Sequence, residues 1–226
     1  MLAKKDQATK KPIKLDALFY REWILFIFDH PIVSGKRKRE WYWDDEWDFE
    51  YQDGHGQVDF VVRLFNRPRF LLNGYSDKKI EQGMWFLFSG REFLAKLLLD
   101  RRVSFADKRR LIRSIEELYK RLFRIREVGL CVNMFWDGLV CGVFDYKVPA
   151  KNLTSEKKRI QKEMFETLLK ILAIRKDYIQ LAALHGLGHL QHPGTKRAVE
   201  DFLKRNPKMD AYRVNYARQC IEGEMM

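Results

Sequence analysis

Two histidines lie four residues apart, and side chains of this type at this spacing could bind a metal ion. His185 and His189 fall in the segment H-G-L-G-H, and on a helix this spacing points both imidazoles to one face. The same spacing binds zinc in H-E-x-x-H metalloproteases, but Gly186 stands where those enzymes have the Glu that acts as general base. A third ligand would have to come from elsewhere, such as His30, His55 or an acid. We therefore predict structural histidines that hold no metal.

An acidic and aromatic run indicates a second chemistry, that of recognition. Residues 40–51 read E-W-Y-W-D-D-E-W-D-F-E-Y and follow directly on the basic run 36–39. Clustered carboxylates do not belong in a core, and clustered tryptophans do not belong in free solution. Such a segment needs a partner surface, either on this chain or on another molecule. Its candidate binding residues are Trp41, Trp43, Asp44, Asp45, Trp47 and Asp48.

Three functional interpretations of this run stand beside a structural one. The run could dock a protein, since Trp and Tyr dominate interface hot spots. It could form an aromatic cage with carboxylates for a cation such as a modified Lys, or fold back on the chain's own basic surface. The structural alternative is a rigid loop with packed rings and exposed acids. We predict an ordered segment with its rings largely packed, because three exposed Trp rings would form a patch that monomers rarely tolerate.

The chain carries no local signature of a common enzyme or cofactor site. A P-loop, G-x-G-x-x-G and G-x-S-x-G are all missing, and the acids of the run lack the EF-hand pattern. The triplet Phe135-Trp136-Asp137 resembles, in two residues, the HEAT-like alkylpurine DNA glycosylases, which stabilise a cationic sugar with an Asp between aromatic rings. The alternative is a buried Asp that caps a neighbouring helix. We predict no catalytic residue and no cofactor.

Composition limits the class of protein. The 226 residues are 46% hydrophobic, enough for a core, and the formal net charge is +12. A basic surface attracts nucleic acid, anionic lipid or acidic proteins, or it simply keeps a protein soluble. Three cysteines without C-x-x-C spacing indicate neither a disulfide framework nor a zinc cluster. The polar N-terminus does not read as a signal peptide, and the apolar stretch 23–28 is too short to span a bilayer, so we expect a cytoplasmic protein without membrane contact.

The elements that must position these residues are predicted to be helices. Residues 1–14 read as a flexible basic tail, and 15–226 as a single α-helical domain with a long acidic-aromatic excursion at 31–56. Apolar positions at helical spacing predict helices over 15–29, 59–65, 76–88, 93–99, 104–123, 130–144, 154–174, 178–190, 193–204 and 207–221. Strand is the alternative for 130–144. Predicted caps are Ser76, Asp177, Asn206 and a terminating Gly223. No sustained two-residue alternation appears, so the predicted fold is all-α.

Residues 178–194 read Y-I-Q-L-A-A-L-H-G-L-G-H-L-Q-H-P-G, which resembles the second helix of a HEAT repeat followed by its turn. Small residues along this helix would let neighbouring helices approach closely. The resemblance implies an irregular helical bundle or α-solenoid, HEAT-like in its C-terminal third, with an extended binding face.

Four segments taken together resemble a bacterial protein family of unknown function. They are F-D-H-P at 28–31, W-Y-W-D-D at 41–45, Y-S-D with G-M-W-F-L-F within 75–88, and H-G-L-G-H at 185–189. That resemblance implies a fixed set of segments and supplies no activity.

The sequence as a whole favours a noncatalytic interaction module that binds a protein partner. Its binding elements would be the 40–51 segment and the groove near His185 and His189. The alternative is a nucleic-acid-binding HEAT-like protein, which could also be a DNA glycosylase-like enzyme. The net charge of +12 supports nucleic-acid binding. The sequence does not specify an oligomeric state.

Overall fold

Helices dominate the architecture. The computed structural model describes residues 12–32, 40–43, 49–90, 92–145 and 152–223. Within these ranges there are eleven α-helices: α1 (Tyr20–Phe28), α2 (Gly54–Asn66), α3 (Arg69–Gly74), α4 (Asp77–Trp85), α5 (Phe93–Leu99), α6 (Phe105–Leu118), α7 (Cys131–Val143), α8 (Ser155–Leu172), α9 (Asp177–Leu190), α10 (Thr195–Arg205) and α11 (Ala211–Glu222). Single π-helical turns, Phe86–Gly90 and Tyr119–Phe123, extend α4 and α6. None of the described helices combines the length and apolar composition that crossing a bilayer requires.

The described strands form one small ribbon. β1 (Ile13–Lys14) pairs in parallel with β2 (Phe49–Glu50), and Ile13 lies opposite Phe49. Just beyond β2, the amide of Gln52 donates to the carboxylate of Asp16. The all-α prediction is therefore confirmed for the described residues, and the ribbon fixes the end of the 40–51 segment to the start of the fold. Ile13 and Lys14 belong to this ribbon, so the flexible tail predicted over 1–14 is wrong at these two positions, and residues 1–11 lie outside the described residues.

Local capping chemistry fixes several helix starts, and the cap predicted at Ser76 is confirmed. The hydroxyls of Ser76, Ser104 and Thr154 each accept a hydrogen bond from the backbone amide three residues later. At the end of α11, Gly223 adopts the left-handed conformation, with φ of 73°, as a terminating glycine does. The apolar stretch predicted over 130–144 is the helix α7, and the strand alternative is wrong.

The first predicted helix, over 15–29, is divided in the structure. A 3-10 turn (Leu15–Ala17) comes first, and α1 begins only at Tyr20. The reason is a capping interaction inside the predicted helix. The amide of Phe19 donates to the carboxylate of Glu22 at 2.9 Å, and this hydrogen bond starts a new helix after Phe19. Farther on, α2 begins at Gly54, earlier than expected, because Asp53 caps it through the amide of Gly56.

Other boundaries in the second half also differ from the sequence prediction. Asn206 ends α10, where its side-chain amide donates to the carbonyl of Phe202 at 2.8 Å, and Asp210 caps α11 in its place. Asp177 is the first residue of α9 and caps nothing. Short polar side chains can satisfy either end of a helix, so their type alone does not locate a boundary. The short helix α3, directly after Pro68, was not predicted.

The α7 helix lies at the centre of the packing. It contacts α5, α9 and the turn Phe86–Gly90, while α9 also packs against α8 and α11. The α7 side chains Phe135 and Trp136 are both completely buried. This arrangement makes a continuous helical core, and a HEAT-like or solenoid arrangement of the C-terminal helices stays a prediction.

Candidate functional site

The structure places half of the predicted site residues. Trp41, Trp43, His185 and His189 are described, whereas Asp44, Asp45, Trp47 and Asp48 lie outside the described residues. The described members fall at two places, the 3-10 turn Trp41–Trp43 and the interface of α7 with α9.

Rings of the 40–51 segment pack mainly into the core. Trp41 is 4% exposed and stacks between His30, with ring centroids 3.7 Å apart, and Phe86, at 5.0 Å. Tyr42 and Phe49 are also buried, so the prediction of packed rings is confirmed for these residues. Trp43 differs, because it is 40% exposed.

Cations already lie over rings at the far end of this segment. Lys96 Nζ is 5.2 Å from the centre of the Phe49 ring, and the Arg102 guanidinium is 5.8 Å from the centre of the Tyr51 ring. The π faces of aromatic rings attract cations in this geometry.

The two histidines meet an acid from the neighbouring helix. His185 Nε2 lies 3.2 Å from His189 Nε2, and His189 Nε2 lies 3.4 Å from Asp137 Oδ1. One donor atom from each of the three residues falls within 4.8 Å of the other two. This His-Asp cluster (Asp137, His185 and His189) joins α7 to α9.

Gly186 permits the close approach of the two helices. A Cβ atom at this position would lie 2.7 Å from Trp136 Cβ and 2.7 Å from Leu168 Cδ2, closer than packed carbon atoms come. Gly186, which stands where a zinc protease has the Glu that acts as general base, is thus required for packing. The close contact brings His185 and His189 on α9 next to Asp137, which follows Trp136 on α7.

Tyr216 on α11 orients the buried histidine. Its hydroxyl lies 2.8 Å from His185 Nδ1. Burial, and then the neighbouring His189, lower the pKa of His185 to about 4, so its imidazole is neutral at pH 7. Burial raises the pKa of Tyr216, which keeps its hydroxyl protonated. A neutral His185 whose Nδ1 faces this hydroxyl presents Nε2 to the other members of the cluster.

Asp137 has a polar partner on its own helix. The Cys141 thiol donates to Asp137 Oδ1 at 3.3 Å, and burial, followed by this hydrogen bond, raises the pKa of Cys141 to about 11. Phe135 and Trp136 are completely buried, so neither ring is accessible to a ligand. Sequence reasoning singled out Asp137 in its aromatic-acid triplet but did not link it to the histidines, because no local pattern joins the two helices.

An open cleft connects the two predicted sites. It has a volume of about 490 Å³ and is lined by Trp43, Ser89, Glu92, Lys96, Asp137, Gly138, Cys141 and Gly142. The cleft thus exposes one ring of the 40–51 segment and one member of the His-Asp cluster to the same space. Chemically, the arrangement offers an aromatic surface and carboxylates to a ligand, and imidazole nitrogens with a carboxylate oxygen to a metal ion.

Comparison of the chain with protein-family models, curated proteins and solved structures returned no match in any of the three. The resemblances drawn from the sequence therefore stay predictions, and the function rests on the site itself.

Proposed function

We propose that this protein is a noncatalytic helical interaction module that binds a basic segment of a partner protein at the cleft beside Trp43. The observation that carries this proposal is the 40% exposure of the Trp43 ring at the rim of a cleft. Tryptophan is among the residues that most often dominate the energy of protein interfaces.

Trp43 contrasts with its immediate neighbours. Trp41 and Tyr42 are buried and belong to the core, so the fold already uses two of the three rings in this turn. A ring left open beside a cleft is available to a partner at little cost in conformational freedom, because Trp has only two side-chain torsions.

Charge around the cleft favours a cationic partner. Its walls include the acids Glu92 and Asp137 and one base, Lys96. Four acids also follow Trp43 in the sequence, within residues 44–48, which lie outside the described residues. Within the fold, Lys96 already lies over Phe49, so rings of this segment attract ammonium groups.

Ion pairing within the chain neutralises part of the basic surface locally. Several described basic side chains are engaged with acids: Arg110 with Asp59, Arg113 with Glu163, Arg126 with Asp77 and Arg213 with Asp177. Each pair cancels one positive and one negative charge, so the surplus of twelve positive charges is unchanged and nucleic acid stays the alternative partner.

A short lysine-rich peptide tests the proposal directly. We expect saturable binding by titration calorimetry, weakened roughly 2- to 30-fold in Trp43→Ala, because a cation over a ring contributes about 0.5–2 kcal/mol. Phe70→Ala is the matched control, since Phe70 is 38% exposed and lies on α3. This control should bind like the wild type.

Two results would count against this function. One is no measurable binding of the peptide by the wild-type protein. The other is equal affinity of the wild type and Trp43→Ala. A DNA duplex run in parallel tests the alternative: tight binding with a steep salt dependence, unchanged in Trp43→Ala, would favour a nucleic-acid-binding protein.

A further inference from the structure

We infer that Asp137, His185 and His189 form a binding site for a divalent transition metal ion, and that Zn²⁺ is the ion their donor atoms fit best. The inference concerns metal binding and does not rest on the proposed partner. It departs from the sequence prediction of structural histidines without a metal, because the structure supplies the third ligand that the sequence did not locate.

Two of the three distances within the His-Asp cluster match those between ligands of one small ion. Zinc–nitrogen and zinc–oxygen bonds of about 2.0–2.1 Å at tetrahedral angles separate two donor atoms by roughly 3.3–3.4 Å. The observed separations are 3.2 Å between the two Nε2 atoms and 3.4 Å between His189 Nε2 and Asp137 Oδ1. The remaining pair, His185 and Asp137, has its donor atoms within 4.8 Å, so the Asp137 oxygen, on a side chain that is 27% exposed, has to move closer to His185 to complete the set.

Outer partners orient the ligands as they do in known metal sites. A ligating histidine usually donates its second ring N–H to another group, which fixes the tautomer and the ring orientation. Tyr216 is such a group, with its hydroxyl 2.8 Å from His185 Nδ1. Cys141 has the corresponding position beside Asp137, to whose Oδ1 its thiol donates at 3.3 Å.

All three ligands lie on helices of the core, which hold them in place. Asp137 is on α7, and the two histidines are one turn apart on α9. Helix positions fix ligands more precisely than loops do. Gly186 keeps these helices in contact, and its lack of a carboxylate removes a protease's general base without affecting any of the three ligands.

The donor set favours zinc over harder ions. Mg²⁺ and Ca²⁺ take oxygen ligands, whereas two imidazoles with one carboxylate suit Zn²⁺ and its neighbours among the transition metals. Three protein ligands leave a fourth tetrahedral position for water or another donor. Asp137 also lines the cleft beside Trp43, so an ion and a fourth ligand have a route from solvent.

The experiment titrates Zn²⁺ into full-length protein that has been dialysed against a chelator. Calorimetry should give one ion per chain with micromolar or tighter affinity, and Co²⁺ should give a visible absorption spectrum of bound metal. Asp137→Asn and His189→Gln should each weaken binding at least 100-fold, because each removes a ligand. Tyr216→Phe should weaken binding about 10-fold, as loss of an outer partner does.

His55→Gln is the matched control. His55 also lies against an acid, with its Nδ1 2.9 Å from Asp107, but it is exposed and far from the cluster in the sequence. Its replacement should leave the affinity unchanged. Circular dichroism establishes that each variant is folded. If His189→Gln fails to fold, the nearly isosteric Asp137→Asn decides through its Co²⁺ spectrum.

Three outcomes would overturn the inference. The wild type could fail to bind Zn²⁺ at micromolar concentration. Folded Asp137→Asn could bind Zn²⁺ or Co²⁺ as the wild type does. Finally, His55→Gln could reduce binding as much as the cluster variants, which would show adventitious binding to surface histidines.

Discussion

The 40–51 segment and the α7–α9 helix pair bring their important residues together in opposite ways. In the segment, Trp41 and Trp43 are two positions apart, yet one is stacked in the core and the other opens onto a cleft. In the helix pair, Asp137 and His189 lie on separate helices and meet at 3.4 Å.

This difference shows that a conspicuous composition and a functional geometry are separate properties. Most rings of a dense aromatic run have to be buried first, because each buried ring removes a large apolar area from water. A polar cluster instead needs only a few residues, provided that small side chains let their helices approach.

The largest expected effect separates the two tryptophans. Trp41→Ala should lower the free energy of unfolding by about 3–5 kcal/mol, since it empties a stacked position between His30 and Phe86. Trp43→Ala should cost about 1 kcal/mol or less, because its ring is 40% exposed. Urea unfolding followed by circular dichroism measures both. Equal losses would show that Trp43 serves the core as much as Trp41 does.

Gly186→Ala tests the helix contact behind the His-Asp cluster. The added Cβ would lie 2.7 Å from Trp136 Cβ, which the α7 backbone holds in place, so we expect a loss of about 1–3 kcal/mol. Gly74→Ala is the control, since no atom lies within 4 Å of its added Cβ. The control should be neutral or slightly more stable in the same urea experiment. An unchanged free energy of unfolding in Gly186→Ala would mean that the α7–α9 contact is loose.

Tyr119→Phe tests how strongly polar contacts hold α7. The hydroxyl of Tyr119, at the end of α6, donates to the carbonyl of Val132 at 2.7 Å, and both residues are buried. Removing one buried hydrogen bond should cost about 1–2 kcal/mol. Tyr212→Phe, on the 70% exposed Tyr212, should leave the denaturation midpoint unchanged. An equally small change in both variants would assign the stability of α7 to apolar packing alone.

The smallest expected effect is the dependence of stability on pH, to which His30 and His55 contribute with opposite signs. Burial lowers the pKa of His30, outweighing the hydrogen bond to the Phe26 carbonyl. As pH falls below the unfolded value of about 6.5, the unfolded chain binds the proton first, and stability falls. The hydrogen bond with Asp107 raises the pKa of His55, as does the charge of Asp59. Its contribution is complete below about pH 6.5 and is lost as pH rises through the raised folded pKa.

Denaturation midpoints between about pH 5 and 8 measure these two slopes. His30→Gln should flatten the loss of stability toward acid pH, relative to the wild type. His55→Gln should lie below the wild type at acid pH and approach it as pH rises. A slope of the same sign for His30 as for His55 would show that the hydrogen bond to the Phe26 carbonyl outweighs the burial of His30.

The sequence alone determined much of the local structure of this protein, although not every helix boundary. Helical periodicity, and a cap such as Ser76, located most of the helices, because a cap hydrogen bond reaches only three residues along the chain. The His185 and His189 pair could be found for the same reason, since one helical turn brings the rings together.

Only the tertiary structure decided which ring would be exposed and which acid would join the histidines. Trp41 and Trp43 have the same side chain, so their burial depends on what packs over each one. Asp137 reaches His189 because Gly186 allows α7 and α9 to touch. The separation of two helices depends on the side chains of both at the point of contact, and no pattern along one segment of the chain contains that information.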